Sequence, residues 1–139
     1  MFKKISGPSI VKWWPKKAST TITVGSLTSP DGSGAATVAT AGGLAILGAC
    51  LKAIVSTDSD FASNTSIPIE LALPSCEFEA DVTGTLTTAM IGEKRGLTAS
   101  GTIVDATNTT NDQVTITAFI SASKCRCVIN ENFLYEPGA

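Results

Sequence analysis

Residues 67–82 read IPIELALPSCEFEADV, and their alternation decides the fold. Ile67, Ile69, Leu71 and Leu73 alternate with Pro68, Glu70 and Ala72; after Pro74-Ser75, Cys76, Phe78, Ala80 and Val82 alternate with Glu77, Glu79 and Asp81. Successive side chains of a strand point to opposite faces, so a period of two over both runs predicts two strands, each with one buried face. Pro74 has no N–H for a ladder and marks the bend between them.

The flanks carry the same signal in shorter pieces. Upstream, Thr20–Leu27 (TTITVGSL) predicts a half-buried strand with Ile22 and Val24 on one side. Ser29–Gly34 (SPDGSG) is a hairpin turn, Ala35–Thr40 leads back, and Gly42-Gly43 turns again into a long apolar strand over Leu44–Val55. Ser56–Ser66 is a polar loop. Downstream, Leu86–Ile91 predicts one helical turn closed by Gly92. Leu97–Val104 and Val114–Ile120 are strands separated by the polar loop Asp105–Gln113, and Lys124–Ile129 is a last strand after the tight Ser121-Ala122-Ser123 connection. Short strands at this spacing, in a chain rich in Thr, Ser and Gly, predict an all-β fold. The expectation is a single antiparallel β-barrel or sandwich domain over residues 19–130, with an extended arm at 1–18 and a C-terminal tail at 131–139. Ala35–Val55 approaches the length of a membrane span, but Gly42-Gly43, Thr37, Thr40 and Lys52 interrupt it. Strands are expected there, and no membrane partner.

The arm differs in kind from the rest. Residues 1–17 hold five of the ten basic residues, both tryptophans and no acid, so an arm of +5 precedes a body carrying five basic and all twelve acidic side chains. Gly7-Pro8 and Trp14-Pro15 work against a helix. Two indoles gain by burial, so the segment is expected to dock on a partner through Lys3, Lys4, Lys12, Trp13, Trp14, Lys16 and Lys17. On that reading the arm is removable and the remaining domain stays folded. The alternative is an arm folded back on its own body. MFKKISGPSIVKWWPKK lacks the apolar stretch of a secretory signal.

Little in the chain suggests catalysis. There is no His for acid–base work at neutral pH, no G-x-S-x-G elbow, and no P-loop or dinucleotide glycine pattern. Asp58-x-Asp60 and the stripe Glu77, Glu79, Asp81 are possible cation ligands, but acids in a solvated loop and on the wet face of a strand need no metal. The stripe has another possible use, as a seat for the basic arm. No metal and no cofactor are expected. Nucleic acid is not expected either, since the acidic body repels it. The cysteines Cys50, Cys76, Cys125 and Cys127 lack metal-ligand spacing. Free buried thiols are the default, and disulfides within or between subunits the alternative. Cys125 and Cys127 share a strand face about 7 Å apart, so any bond they form would go to Cys50, Cys76 or another subunit.

The order of the pieces is informative beyond each one alone: a Pro-Asp-Gly-Ser-Gly hairpin, LAILGACLKAIVSTDSDFASNTSIPIELALP, CEFEADV, TGTLTTAMIGEKRGLTASGTIVD, a Thr/Asn loop, and VTITAFISASKCRCVIN. From about residue 20 to 130 this resembles the small capsid decoration (cement or auxiliary) proteins of tailed bacteriophages. The resemblance implies a compact β-barrel-like domain without catalysis, made in the host cytoplasm and carried on the outer surface of the virion. Its implied partner is the major capsid protein, with further copies of the chain itself on the lattice. The arm, the tail and the cysteines fall outside the resemblance. A rival reading is a receptor- or glycan-binding module of a phage tail or fibre acting through loops 56–66 and 105–113, which offer Phe61 as their only aromatic.

Overall fold

A computed structural model describes residues 1–43 and 45–135. Eleven strands are present among them: β1 (Phe2–Ser6), β2 (Val11–Pro15), β3 (Leu27–Pro30), β4 (Ala36–Val38), β5 (Gly48–Cys50), β6 (Ser66–Leu71), β7 (Glu77–Thr83), β8 (Lys94–Leu97), β9 (Val104–Asp105), β10 (Val114–Ser121) and β11 (Lys124–Ile129). The two strands read from residues 67–82 are β6 and β7, with Ile67, Ile69, Phe78, Ala80 and Val82 buried. The chain is all-β, as expected.

The strands form two sheets, ordered β1-β7-β11-β10-β8-β9 and β2-β6-β5-β3-β4. In the first, β9 also pairs with β7, in parallel, so five strands close into a barrel with β1 added beside β7. The inward faces of β7, β10 and β11 supply Phe78, Ala80, Val114, Ile116, Cys125 and Cys127 to the larger core. Phe2 packs edge-on against Phe78, with ring centroids 6.3 Å apart. The second sheet covers a smaller cluster containing Ile22, Leu47, Ile54, Ile67 and Ile69. Pro74 lies where the chain passes from one sheet to the other.

The amino-terminal segment is a structural part of both sheets rather than a detached arm. β1 pairs with β7 (Phe2 with Ala80, Lys4 with Phe78), and β2 pairs with β6 (Val11 with Glu70, Trp14 with Ile67). The cause is main-chain hydrogen bonding together with burial of Phe2. A fully buried Phe contributes about 1.5–3 kcal/mol. At its end, Lys16 bridges to Ala36 in parallel and Lys17 N–H donates to Ala36 O at 2.8 Å, drawing β2 towards β4.

Three predicted strands are shorter than their patterns. Over Thr20–Leu27 only Leu27 joins a strand, while Ile22 makes a single bridge to Ile54 and Val24 is exposed. Ser26 N–H donating to Thr23 O, with Gly25 at φ +81°, turns the chain there. Leu44–Val55 contributes only β5: Ala45 has φ +61° on one side, and the chain bends at Leu51-Lys52 on the other. Leu44 lies outside the described residues. Leu97–Val104 is a reversal between β8 and β9. Thr98 N–H donates to Ile103 O, and Gly101 (φ +67°) sits so close to Ala39 O that a Cβ would collide with it. The predicted helical turn is a single 3-10 turn, Thr88–Met90. In the tail a second 3-10 turn, Glu131–Phe133, leads to Leu134 beside Ile46 and to Tyr135; residues 136–139 are outside the description.

Candidate functional site: the free edge of the second sheet

The seven arm residues split into two groups. Lys4, Lys16 and Trp14 turn inward. The Lys4 side chain is 6 % exposed, donates to Pro8 O and lies 3.7 Å from Glu70. Lys16 is fully buried; its Nζ donates to Lys17 O (2.7 Å) and Phe61 O (3.1 Å) and lies 5.4 Å from the Phe61 ring centroid. Burial lowers the pKa of its ammonium, and Asp60 counters part of that. These three make contacts within the chain: Lys4 and Lys16 find acceptors there, and Trp14 finds packing, although its Nε1–H has no acceptor. Lys3, Lys12, Trp13 and Lys17 are exposed.

Three of those four gather at β2, the edge of its sheet. Its register with β6 fixes which main-chain groups are free. Lys16 N–H donates to Thr65 O and Leu71 N–H to Ile10 O. Antiparallel ladders alternate, so Lys12 and Trp14 direct their N–H and C=O groups to β6, while Val11, Trp13 and Pro15 direct theirs away. Pro15 has no N–H. The bridge of Lys16 to Ala36 takes up the Pro15 carbonyl, so the edge offers two donors and two acceptors, on Val11 and Trp13, and no strand pairs with it there.

Side chains frame this edge on both faces. Trp13 (63 % exposed) is in register with Pro68 on β6, and Leu51, just past β5, donates its N–H to Pro68 O, which sets the three apolar residues in line across the sheet. On the other face Trp14 stacks edge-to-face on Tyr135 (5.7 Å, 86°), with Lys12 Nζ 5.7 Å from the Trp14 ring. Lys12, Trp14, Leu47, Leu71, Leu73 and Tyr135 line a cavity of about 70 Å³ there. Tyr135 was not singled out in the sequence. Its only signal was being the sole tyrosine, in a segment with no strand pattern.

The other candidates lie elsewhere. Asp58 Oδ2 accepts from Val55 N–H at 2.8 Å, an ordinary loop cap. The stripe on β7 does seat the amino-terminal segment. Asp81 accepts from the Met1 ammonium at 2.8 Å and lies 3.9 Å from Lys124, which is 3.5 Å from Glu79. That hydrogen bond holds the Asp81 carboxyl below its usual range. Among the described residues no three His, Cys, Asp or Glu side chains converge as metal ligands, and no helix is long and apolar enough to cross a membrane. Phe61 is half-buried against Lys16, which takes the aromatic of loop 56–66 into the fold. All four cysteines are buried with free thiols. Cys125 and Cys127 face the barrel interior, and a hydrogen bond to Cys125 together with burial pushes the Cys127 thiol well up. No protein-family model matches the chain, and no curated protein matches it.

Proposed function

We propose that the chain is a structural protein of a phage particle, which decorates the outside of the capsid by binding the major capsid protein. The observation that carries this reading is the free β2 edge, where unpaired main-chain groups of Val11 and Trp13 lie beside an exposed indole and exposed lysines. An extended capsid segment added along β2 would take up those groups, with Trp13 as the anchor and Lys12 and Lys17 steering the approach. The sequence resemblance to capsid decoration proteins supports the same assignment. The protein acts by binding, with no reaction, metal or cofactor. Its work is to link neighbouring subunits on the particle surface.

Co-sedimentation with undecorated heads tests this. Trp13→Ala should weaken binding by about 2 kcal/mol or more. Val11→Pro, which removes an outward N–H that the fold itself does not use, should weaken binding while leaving the free protein folded. Lys12→Ala with Lys17→Ala should mainly slow association and flatten its salt dependence. Heads that bind the Trp13 and Val11 variants as they bind the wild type would contradict the assignment.

A further inference from the structure

Lys12 is a cation without an anion at the free β2 edge. Its side chain is exposed, its Nζ lies 5.7 Å from the Trp14 ring centroid, and among the described residues no carboxylate lies within ion-pair distance of it. Glu70, the one acid of β6, is cross-strand from Val11 and so belongs to the opposite face. There it accepts from Ser9 Oγ at 2.7 Å and lies 3.7 Å from Lys4 Nζ. The cavity beside Lys12 has apolar walls in Leu47, Leu71 and Leu73, and none of the residues lining it is acidic.

The register of β2 fixes what an added strand would set against this cation. The strands of this sheet pair antiparallel, and a further antiparallel strand would bond to the outward main-chain groups of Val11 and Trp13. Its residue opposite Lys12 then falls in a closely spaced pair without hydrogen bonds, with Cα atoms about 4.5 Å apart and both side chains on the Trp14 face. Its two neighbouring residues fall on the other face, beside Val11 and Trp13, where Pro68 and Leu51 continue the apolar line.

Given strand addition along β2, on which this rests, we infer that the strand received there is acidic at one position and apolar on either side of it. A glutamate lies opposite Lys12, between apolar residues opposite Val11 and Trp13. The glutamate is selected because its carboxylate meets an ammonium that has no other anion, while its methylene stem lies against the apolar cavity. A cation at the same position would oppose Lys12 directly, which is unfavourable for a cross-strand pair.

Synthetic peptides of the form SGTVXVTGS, with Glu, Gln or Lys at X, test this on the full-length chain. Amide exchange at Val11 and Trp13 reports strand addition, and tryptophan fluorescence gives the affinity. The Glu peptide should protect both amides and bind about fivefold more tightly than the Gln peptide, with the Lys peptide weakest. Lys12→Gln should remove the difference between the Glu and Gln peptides, and Lys12→Glu should make the Lys peptide bind more tightly than the Glu peptide. Glu136→Gln should leave all three affinities unchanged. A marked rise for the Glu peptide on that change would assign Lys12 to the chain's own tail and overturn the inference. Equal affinities for the three peptides, an order that Lys12→Glu does not reverse, or no protection by any peptide would overturn it as well. The first two of these leave strand addition standing, because Val11 and Trp13 would still be protected, and a capsid partner is judged separately by binding to heads.

Discussion

Gln113 shows how much a single side chain can organise. Its Oε1 accepts from Gly42 N–H and Leu97 N–H, and its Nε2 donates to Thr40 O and Gly43 O, all at 3.0 Å. It is fully buried, as is Leu97, while Gly42 and Gly43 are half-buried and Thr40 O also accepts from Gly43 N–H. Gln113→Leu should destabilise the protein by about 2 kcal/mol, measured by urea unfolding, because it leaves the buried Leu97 N–H and the half-buried Gly42 N–H and Gly43 O without this partner. Lys16→Ala should cost about 2 kcal/mol, through lost stem packing and the lost ammonium contacts to Lys17 O and Phe61 O. Neither role was legible in the sequence. Gln113 reads as the end of a polar loop and Lys16 as one more cation of a basic run, since each role needs a partner 45 or more positions away. The Cys76–Val82 pattern was legible at this scale, because each buried position declares itself by its neighbours two away.

Elements with unbroken alternation, β6, β7, β10 and β11, were readable to within a residue or two. Those cut by a positive-φ turn or shared between sheets were not: Gly101 splits one apparent strand, and Ala45 shortens another. The amino-terminal segment was misjudged because its strands pair with β6 and β7, and its charge pattern says nothing of register. Deleting residues 1–17 should therefore give a chain that melts well below the full-length protein or is insoluble, since both sheets lose an edge strand. A truncated chain with an unchanged thermal transition would refute that. The Met1 ammonium beside Asp81 on β7 also sets a pH dependence. Asp81 has a folded pKa lowered below 3.8, so its ionised form contributes stability above that value and the contribution fades as pH falls through the folded value. Asp81→Asn should be less stable than the wild type at pH 7, and unfolding curves of the two should converge below about pH 4.

For the whole molecule, a closed barrel and a second sheet leave the charged, Trp-bearing edge of β2 exposed. All-β architecture followed from the sequence pattern. The location of the free β2 edge did not, because it depends on which strand is left without a neighbour after both sheets have formed. The most direct test of the central claim is amide hydrogen exchange across Val11–Pro15, free and bound to heads. Strand addition predicts that the Lys12 and Trp14 amides are protected in both states, while those of Val11 and Trp13 exchange quickly in the free protein and become protected on the particle. Val11 and Trp13 amides that exchange equally fast on and off the heads would contradict it.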